Sequence, residues 1–225
     1  MSVPQRDESE GPWNRPPPPR APVFNTMPPA VLLLAFAIVG AALAGQVLPD
    51  FQGWLFNAAV FVSAERGASL PKQPLGPIAP LVLHVFIHFS LGHIAMNLAV
   101  LVAAGRAVGE RLGHGWLGSV GFFFLFFACA VTGAAMETLF HQGPPVPMGG
   151  ASTAVSGLIA GAGWVRGGWR GMAQLALPWI AINLLIGVAG DLMPISIGWL
   201  AHIGGTLGGM ILTPLVIAVF AEDEA

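Results

Sequence analysis

Long runs of apolar residues constrain the fold of this chain more than any other feature. Crossing a hydrocarbon core of roughly 30 Å takes about 20 apolar residues in a helix, whereas an average soluble domain has about 25% charged residues. Only 9% of this chain is charged, and its mean hydropathy is +0.73. We therefore predict an all-α polytopic membrane protein with six spans, near 29–47, 91–109, 116–138, 152–166, 172–189 and 198–220.

The segments outside these spans differ sharply in composition. Residues 1–27 are polar and rich in proline, so we predict a disordered cytosolic tail. The six-helix domain is predicted over 28–220, with a long external loop at 48–90, and an acidic tail at 221–225. The span at 152–166 follows three prolines, and we expect it to begin inside the membrane, shielded by protein or next to water.

The basic residues predict the orientation. Cytoplasmic loops of membrane proteins carry an excess of Lys and Arg. With the amino terminus inside, only Arg66 and Lys72 lie outside; the cytoplasmic set is Arg6, Arg15, Arg20, Arg106, Arg111, Arg166 and Arg170. We expect a multi-pass protein of the cell (inner) membrane with a cytoplasmic amino terminus.

Charge and cysteine usage exclude several classes of partner. The formal net charge is −2 and the nine basic residues are scattered, so we expect no nucleic-acid partner. The single cysteine, Cys129, lies in an apolar run and is predicted to be a core residue. Nothing in this pattern indicates a disulfide framework or a zinc motif.

A few polar residues lie in or beside the predicted spans, where such groups are costly and indicate function. His93 and Asn97 are four residues apart and share a helix face. Glu137 and Asn183 are interpreted as helix-packing or interfacial groups. The full set is His84, His88, His93, Asn97, Glu137, Ser152, Ser156, Asn183 and His202.

Small residues at four-residue spacing predict which helices meet, because they let helix backbones approach closely. They occur in the last span at Ala201, Gly205 and Gly209, and in the fourth at Ser152, Ser156 and Ala160. If these faces touch, the His202 imidazole can act as a base for the Ser152 hydroxyl. His93 and Asn97 could then supply hydrogen-bond donors to an oxyanion.

Each of these residues also has a simpler interpretation. A serine in a transmembrane helix often bonds to a carbonyl of its own helix, and small-residue repeats often serve packing alone. His93 and His202 could instead ligate a metal or haem. The sequence contains no His-Glu-x-x-His motif of a metalloprotease.

Four separated motifs in the predicted spans resemble those of the rhomboid intramembrane serine proteases. They are HFSLGHIAMN at 88–97, the segment from Gly105 to Gly113 that ends in ERLG, GASTAVSGL at 150–158, and AHIGG at 201–205. The likeness covers about residues 30–220, and their order along the chain agrees as well. This chain differs from the family pattern at Thr153, usually glycine, and at Ser156, often an aromatic residue. It also has no Tyr, and the 48–90 loop has no Trp-Arg pair.

The resemblance implies a six-helix bundle that cleaves transmembrane segments of other proteins without a metal or cofactor. It implies Ser152 as nucleophile and His202 as general base, with His93, Asn97 and the Ser152 backbone amide holding the oxyanion. His88 and Gly150 are accessory candidates, and Ser156-Gly157 leaves open a nucleophile one turn later. The alternative is a non-proteolytic rhomboid-like protein that binds transmembrane helices. The compact form suggests a prokaryotic protein.

Overall fold

The computed structural model describes residues 27–65, 67–70, 72–190 and 197–222. The predicted tail at 1–27, except for Met27, lies outside these residues, as do Arg66 and the last three residues of the acidic tail. The described part is dominated by helices: α1 (Pro29–Val47), α2 (Pro49–Ala59), α3 (Pro80–Leu83), α4 (Leu91–Leu112), α5 (Trp116–Phe140), α6 (Ser152–Ala189) and α7 (Trp199–Phe220). Two short strands, β1 (Phe61–Ser63) and β2 (Val146–Met148), complete it.

Five of the described helices are long and apolar enough to cross a membrane: α1, α4, α5, α6 and α7. Their outer faces carry large apolar side chains that are more than half exposed, among them Phe36, Phe124, Leu185, Ile211 and Leu215. A soluble protein rarely exposes such continuous apolar surface. The chain is therefore an all-α polytopic protein whose outer surface suits lipid.

Helix α6 explains why six predicted spans correspond to five continuous helices. It has 38 residues, and a straight helix of that length would extend about 57 Å. Its backbone leaves the helical conformation at Gly167 and Gly168, where Gly168 has a φ of 56°. Beyond this break the chain folds back, so that Gly163 lies against the backbone of Gly171. The spans predicted at 152–166 and 172–189 are thus the two antiparallel halves of α6.

The segment 48–90, predicted as a loop, contains regular structure. It holds α2, β1 and α3, followed by one turn of 3₁₀ helix at His84–Phe86. The Gln73 side-chain amide donates to the Val60 carbonyl across 2.6 Å and ties the connection to the start of β1. β1 pairs antiparallel with β2, with Val62 opposite Pro147. Through this strand pair, the segment contacts the residues that precede Ser152 in the chain.

The starts of α4, α6 and α7 and the end of α5 lie at one end of the bundle, which we call the site end. α7 packs mainly against α5 and α6. The opposite end holds the start of α1, where Pro28 lies under Gly109, and the connection between α4 and α5. The buried core between the ends is formed by apolar side chains that include Phe122, Leu125, Phe126, Leu101 and Leu158.

Glu222, just after α7, closes the end opposite the site. Its carboxylate accepts hydrogen bonds from the Gly115 and Gly118 backbone N–H groups, at 2.8 and 3.1 Å. Gly118 is in the first turn of α5, where backbone N–H groups have no partner within the helix. These bonds from Gly118 and Gly115 lower the pKa of Glu222 below its ordinary value of 4.5. The residue therefore caps α5 from the far end of the chain.

We expect Glu222→Gln to lower the thermal midpoint of the purified protein at pH 7. Because the folded pKa is depressed, the carboxylate stabilises the fold above the unfolded pKa, and this stability is lost as the pH falls through the folded value. Thermal unfolding of wild type and variant at pH 7 and pH 3 measures the destabilisation at neutral pH and its loss in acid. Glu110→Gln is the control, since Glu110 forms an exposed pair with Arg106 within one helix, and such pairs contribute little to stability. A Glu222→Gln difference that persists unchanged at pH 3 would contradict this account.

Candidate active site

Helices α6 and α7 approach each other through backbone atoms. A Cβ at Gly205 would collide with the carbonyl oxygen of Thr153, and one at Gly209 would collide with that of Gly157. Close contact between these helices was predicted, but the predicted face of α6 is wrong by one residue. Thr153 and Gly157 face α7, whereas Ser156 faces the second half of α6. The helix carrying His202 is nevertheless in backbone contact beside Ser152.

Ser152 is the first residue of α6 and is half-buried. Among the described residues, its hydroxyl forms no hydrogen bond. The Ser156 hydroxyl, in contrast, donates to the Ser152 carbonyl oxygen at 2.6 Å and accepts from the Trp179 indole N–H at 3.0 Å. Of the two serines considered as nucleophile, Ser152 therefore has the free hydroxyl, and Ser156 makes the back-bond usual for a serine in a helix.

Gly150 brings His93 next to Ser152. Its φ of +121° is in the region that favours glycine. A Cβ here would lie 2.6 Å from His93 Nε2 and 3.5 Å from Ser152 Oγ. The two side chains therefore approach the same face of Gly150, and no other residue type fits between them.

Asn97 and His88 lie on either side of His93. Asn97 is buried, and one of its amide hydrogens is donated to the His93 carbonyl oxygen at 2.9 Å, which leaves the second hydrogen for another acceptor. The His88 ring meets the His93 ring edge to face, with centroids 5.0 Å apart. Burial, and then the nearby charge of His93, lowers the pKa of His88 to about 4. Neither His88 nitrogen has a partner in the described part of the chain.

The His202 imidazole is held by residues from the second half of α6. Its Nδ1 lies 2.8 Å from the Asn183 side-chain oxygen, and the Trp179 ring stacks over it with centroids 6.0 Å apart. Asn183, interpreted from the sequence as a helix-packing or interfacial group, joins the second half of α6 to α7 through this contact with the predicted base.

Glu137 also has a more specific contact than the predicted interfacial role. Its side chain is buried and accepts a hydrogen bond from the backbone N–H of Ala201 at 3.1 Å. The same carboxylate contacts His141 Nδ1 at 3.1 Å and the Ser63 hydroxyl at 3.4 Å. A carboxylate at a helix amino terminus stabilises that end. Glu137 thus fixes the first turn of α7 next to His202 and joins it to β1.

Two interactions that the sequence suggested do not occur among the described residues. In the described part of the chain, no hydrogen bond joins the Ser152 hydroxyl to His202. Nor do the described residues include a group of three or more His, Cys, Asp or Glu side chains placed to hold a metal ion. Cys129 is fully buried in the core, as predicted.

The site residues lie within a segment that matches a known family. The family model described as Rhomboid domain matches residues 76–219. The chain belongs to the rhomboid family. A comparison with curated proteins found no match. The matched segment contains every candidate residue from His84 to His202, and the family and the apolar helices together identify a multi-pass membrane protein.

Thr153 departs from the usual rhomboid glycine, and its hydroxyl has a defined partner. It lies 2.9 Å from His84 Nε2, and His84 Nδ1 lies 2.9 Å from the Pro80 carbonyl. Burial lowers the pKa of His84 to about 4, so the ring is neutral at pH 7. Since the carbonyl only accepts, Nδ1 carries the proton and Nε2 accepts from Thr153. The His84 carbonyl also accepts from the Gly150 N–H, so His84 holds both sides of Ser152.

Ser156 occupies the position where many rhomboids have an aromatic residue, and the structure supplies that aromatic from elsewhere. Trp179 stacks on His202 and donates its indole N–H to the Ser156 hydroxyl. A larger side chain at position 156, which is fully buried, would occupy the space that this bond uses. The sequence signal was available as a lone tryptophan in an apolar span, but only the hairpin in α6 brings it to the site.

Proposed function

We propose that this chain is an intramembrane serine endopeptidase that hydrolyses peptide bonds in or near transmembrane segments of other membrane proteins. Two observations carry the proposal: the Ser152 hydroxyl has no hydrogen-bond partner among the described residues, and the helix that carries it is in backbone contact with the helix that carries an oriented His202. Membership of the rhomboid family supports it further. In this reading Ser152 is the nucleophile and His202 is the general base.

The reaction begins when Ser152 Oγ attacks the carbonyl carbon of the scissile peptide bond. Its proton moves to the unprotonated nitrogen of His202, because a free hydroxyl is a poor nucleophile at neutral pH. The imidazolium then gives this proton to the departing amine as the C–N bond breaks. A water molecule, deprotonated by the same ring, hydrolyses the acyl-enzyme ester and restores Ser152.

Charge that develops on the substrate carbonyl oxygen needs hydrogen-bond donors in place before the reaction. The His93 ring, the second amide hydrogen of Asn97 and the Ser152 backbone N–H are the proposed donors. The approach of the His93 ring and the Ser152 hydroxyl to the same face of Gly150 supports this role for His93. One such donor is worth on the order of 3 kcal/mol in other acyl-transfer enzymes.

The proposed orientation puts the site end on the external side of the cell (inner) membrane and the amino terminus in the cytoplasm. Arg106 and Arg111, near the end of α4, and Arg166 and Arg170, beside the break in α6, all lie toward the opposite end of the bundle. Cytoplasmic loops carry the excess of such residues. Substrates would then be cut near the external surface.

A second candidate function is a rhomboid-like protein that binds transmembrane helices without cleaving them. One observation favours it: within the described residues, Ser152 and His202 are not joined by a hydrogen bond. Catalytic hydrogen bonds are often long in enzymes without substrate and tighten only in the reacting complex. The two functions therefore need an experiment that reports the reactivity of Ser152.

We expect the purified wild-type protein to react with a serine-directed fluorophosphonate probe, and Ser152→Ala and His202→Ala to lose the label. The first substitution removes the nucleophile and the second removes its base. In-gel fluorescence of detergent-solubilised protein measures this without knowledge of the substrate.

Ser156→Ala serves as the matched control, since it removes a buried hydroxyl one helical turn away and is expected to keep the label. Labelling lost only in Ser156→Ala would move the nucleophile to that residue. A folded wild type that neither labels nor cuts a transmembrane reporter would favour the binding function instead.

A further inference from the structure

The Asn183 side chain is fully buried between the second half of α6 and α7. Its amide nitrogen donates to the Trp179 carbonyl oxygen at 2.9 Å, and its side-chain oxygen lies 2.8 Å from His202 Nδ1. Both polar atoms of this amide are therefore engaged. An amide without such partners at this depth would be costly.

These two contacts determine where the proton of His202 is. A backbone carbonyl can only accept, so the atom of Asn183 that faces Trp179 must be the NH₂ group. The atom that faces His202 is then the amide oxygen, which also only accepts. Nδ1 of His202 must therefore carry a hydrogen, and in the neutral ring Nε2 has a free lone pair.

We infer that Asn183 is a positioning residue that holds His202 in the tautomer with Nδ1 protonated and Nε2 available as a base. The inference rests on the proposed function for its catalytic meaning. Asn183 takes the place that a buried acid has in a Ser-His-Asp triad, where it fixes the ring and its tautomer. An amide orients the imidazole without the cost of a buried carboxylate in a helix bundle that faces lipid.

Trp179 assists the same arrangement from the other side of the Asn183 amide. Its carbonyl fixes the direction of that amide, while its ring stacks on His202 and its N–H binds Ser156. One helical turn of α6 therefore sets both the rotation of the imidazole and the identity of its protonated nitrogen.

The first test is the ¹⁵N NMR spectrum of the histidine rings in the detergent-solubilised full chain near pH 8. We expect wild-type His202 to show a protonated Nδ1 and a pyridine-like Nε2, assigned by loss of its signals in His202→Ala. Asn183→Leu is expected to shift His202 toward a mixture of tautomers. A wild-type His202 protonated at Nε2, or a His202 ring unchanged in Asn183→Leu, would overturn the inference.

The second test uses cleavage of a transmembrane reporter. Asn183→Leu is expected to lower kcat by at least about tenfold with little change in KM, as for other groups that orient a catalytic ligand or base. Asn183→Asp keeps an oxygen acceptor, so we expect it to retain more activity. Its carboxylate favours the imidazolium, so the acidic limb of its kcat profile is expected at higher pH.

Thr206→Val is the matched control for this pair. Thr206 is equally buried, and its hydroxyl donates to the backbone carbonyl of His202 instead of to a ring nitrogen. Equal losses of activity in Thr206→Val and Asn183→Leu, with unshifted pH profiles, would identify a packing role and overturn the inference.

If the wild-type protein neither reacts with the probe nor cleaves the reporter, the proposed function fails, and the NMR spectrum still decides whether Asn183 sets the tautomer of His202. If Asn183→Leu does not fold, the NMR spectrum of the wild-type protein and the pH profile of Asn183→Asp still test the inference.

Discussion

Ser152→Ala and His202→Ala are each expected to reduce cleavage of a transmembrane reporter to background. In a soluble serine protease, removing the nucleophile or its base lowers kcat by about 10⁶-fold. The two residues act as a unit, so we expect the double variant to be no worse than either single one. Cleavage by purified, reconstituted protein, followed by gel analysis of the reporter, measures the effect.

Thr213→Val provides the control for this experiment. Thr213 is on the same helix as His202, and its buried hydroxyl has no hydrogen-bond partner among the described residues. Removing this hydroxyl breaks no hydrogen bond within that part of the chain, so we expect Thr213→Val to cleave the reporter at the wild-type rate. Cleavage that persists in purified Ser152→Ala would refute Ser152 as the nucleophile.

Gly205→Ala is expected to destabilise the protein by about 1–3 kcal/mol, the usual effect of an added methyl group in a packed core. The new Cβ would collide with the Thr153 carbonyl oxygen, and both atoms belong to rigid helix backbones. The helices must separate to admit it, which displaces His202 from Ser152. We therefore expect cleavage to fall together with the unfolding free energy, measured by denaturation in detergent micelles.

Gly40→Ala makes the same chemical change where there is room. A Cβ at Gly40, within α1, would meet no atom within 4 Å. Both substitutions gain the same helix propensity, about 1 kcal/mol, so Gly40→Ala is expected to be neutral or stabilising. Wild-type stability and cleavage in Gly205→Ala would mean that α6 and α7 are not in backbone contact.

The membrane-spanning segments could be predicted because lipid imposes a simple rule on sequence, which is a length of apolar residues. That rule placed α1, α4, α5 and α7 closely and found both halves of α6. It could not show that 48–90 forms α2, α3 and β1, because those elements are short and their residues pack against other parts of the chain.

The candidate site was predictable to the extent that polar residues are rare in apolar spans. Ser152, His202, His93 and Asn97 stand out for that reason. The contacts of Asn183 and Glu137 could not be predicted in this way, because a single polar residue in a span does not reveal its partner. Asn183 reaches His202 only because the chain reverses at Gly167 and Gly168. Glu137, near the carboxyl end of α5, contacts α7 across 64 residues of sequence.

Apolar length and the cost of intramembrane polar groups are local properties, so the order of residues alone predicts a polytopic helical protein with a serine and a histidine in separate spans. Three further features emerge only from the packing of the helices: Thr153 and Gly157 face α7, the Trp179 ring stacks on His202, and the Asn183 side-chain oxygen contacts His202 Nδ1. These features depend on the reversal at Gly167 and Gly168 and on the rotation of α7 against α6, which the close backbone contacts at Gly205 and Gly209 set. Such contacts join residues far apart in the chain, so local sequence patterns do not reveal them.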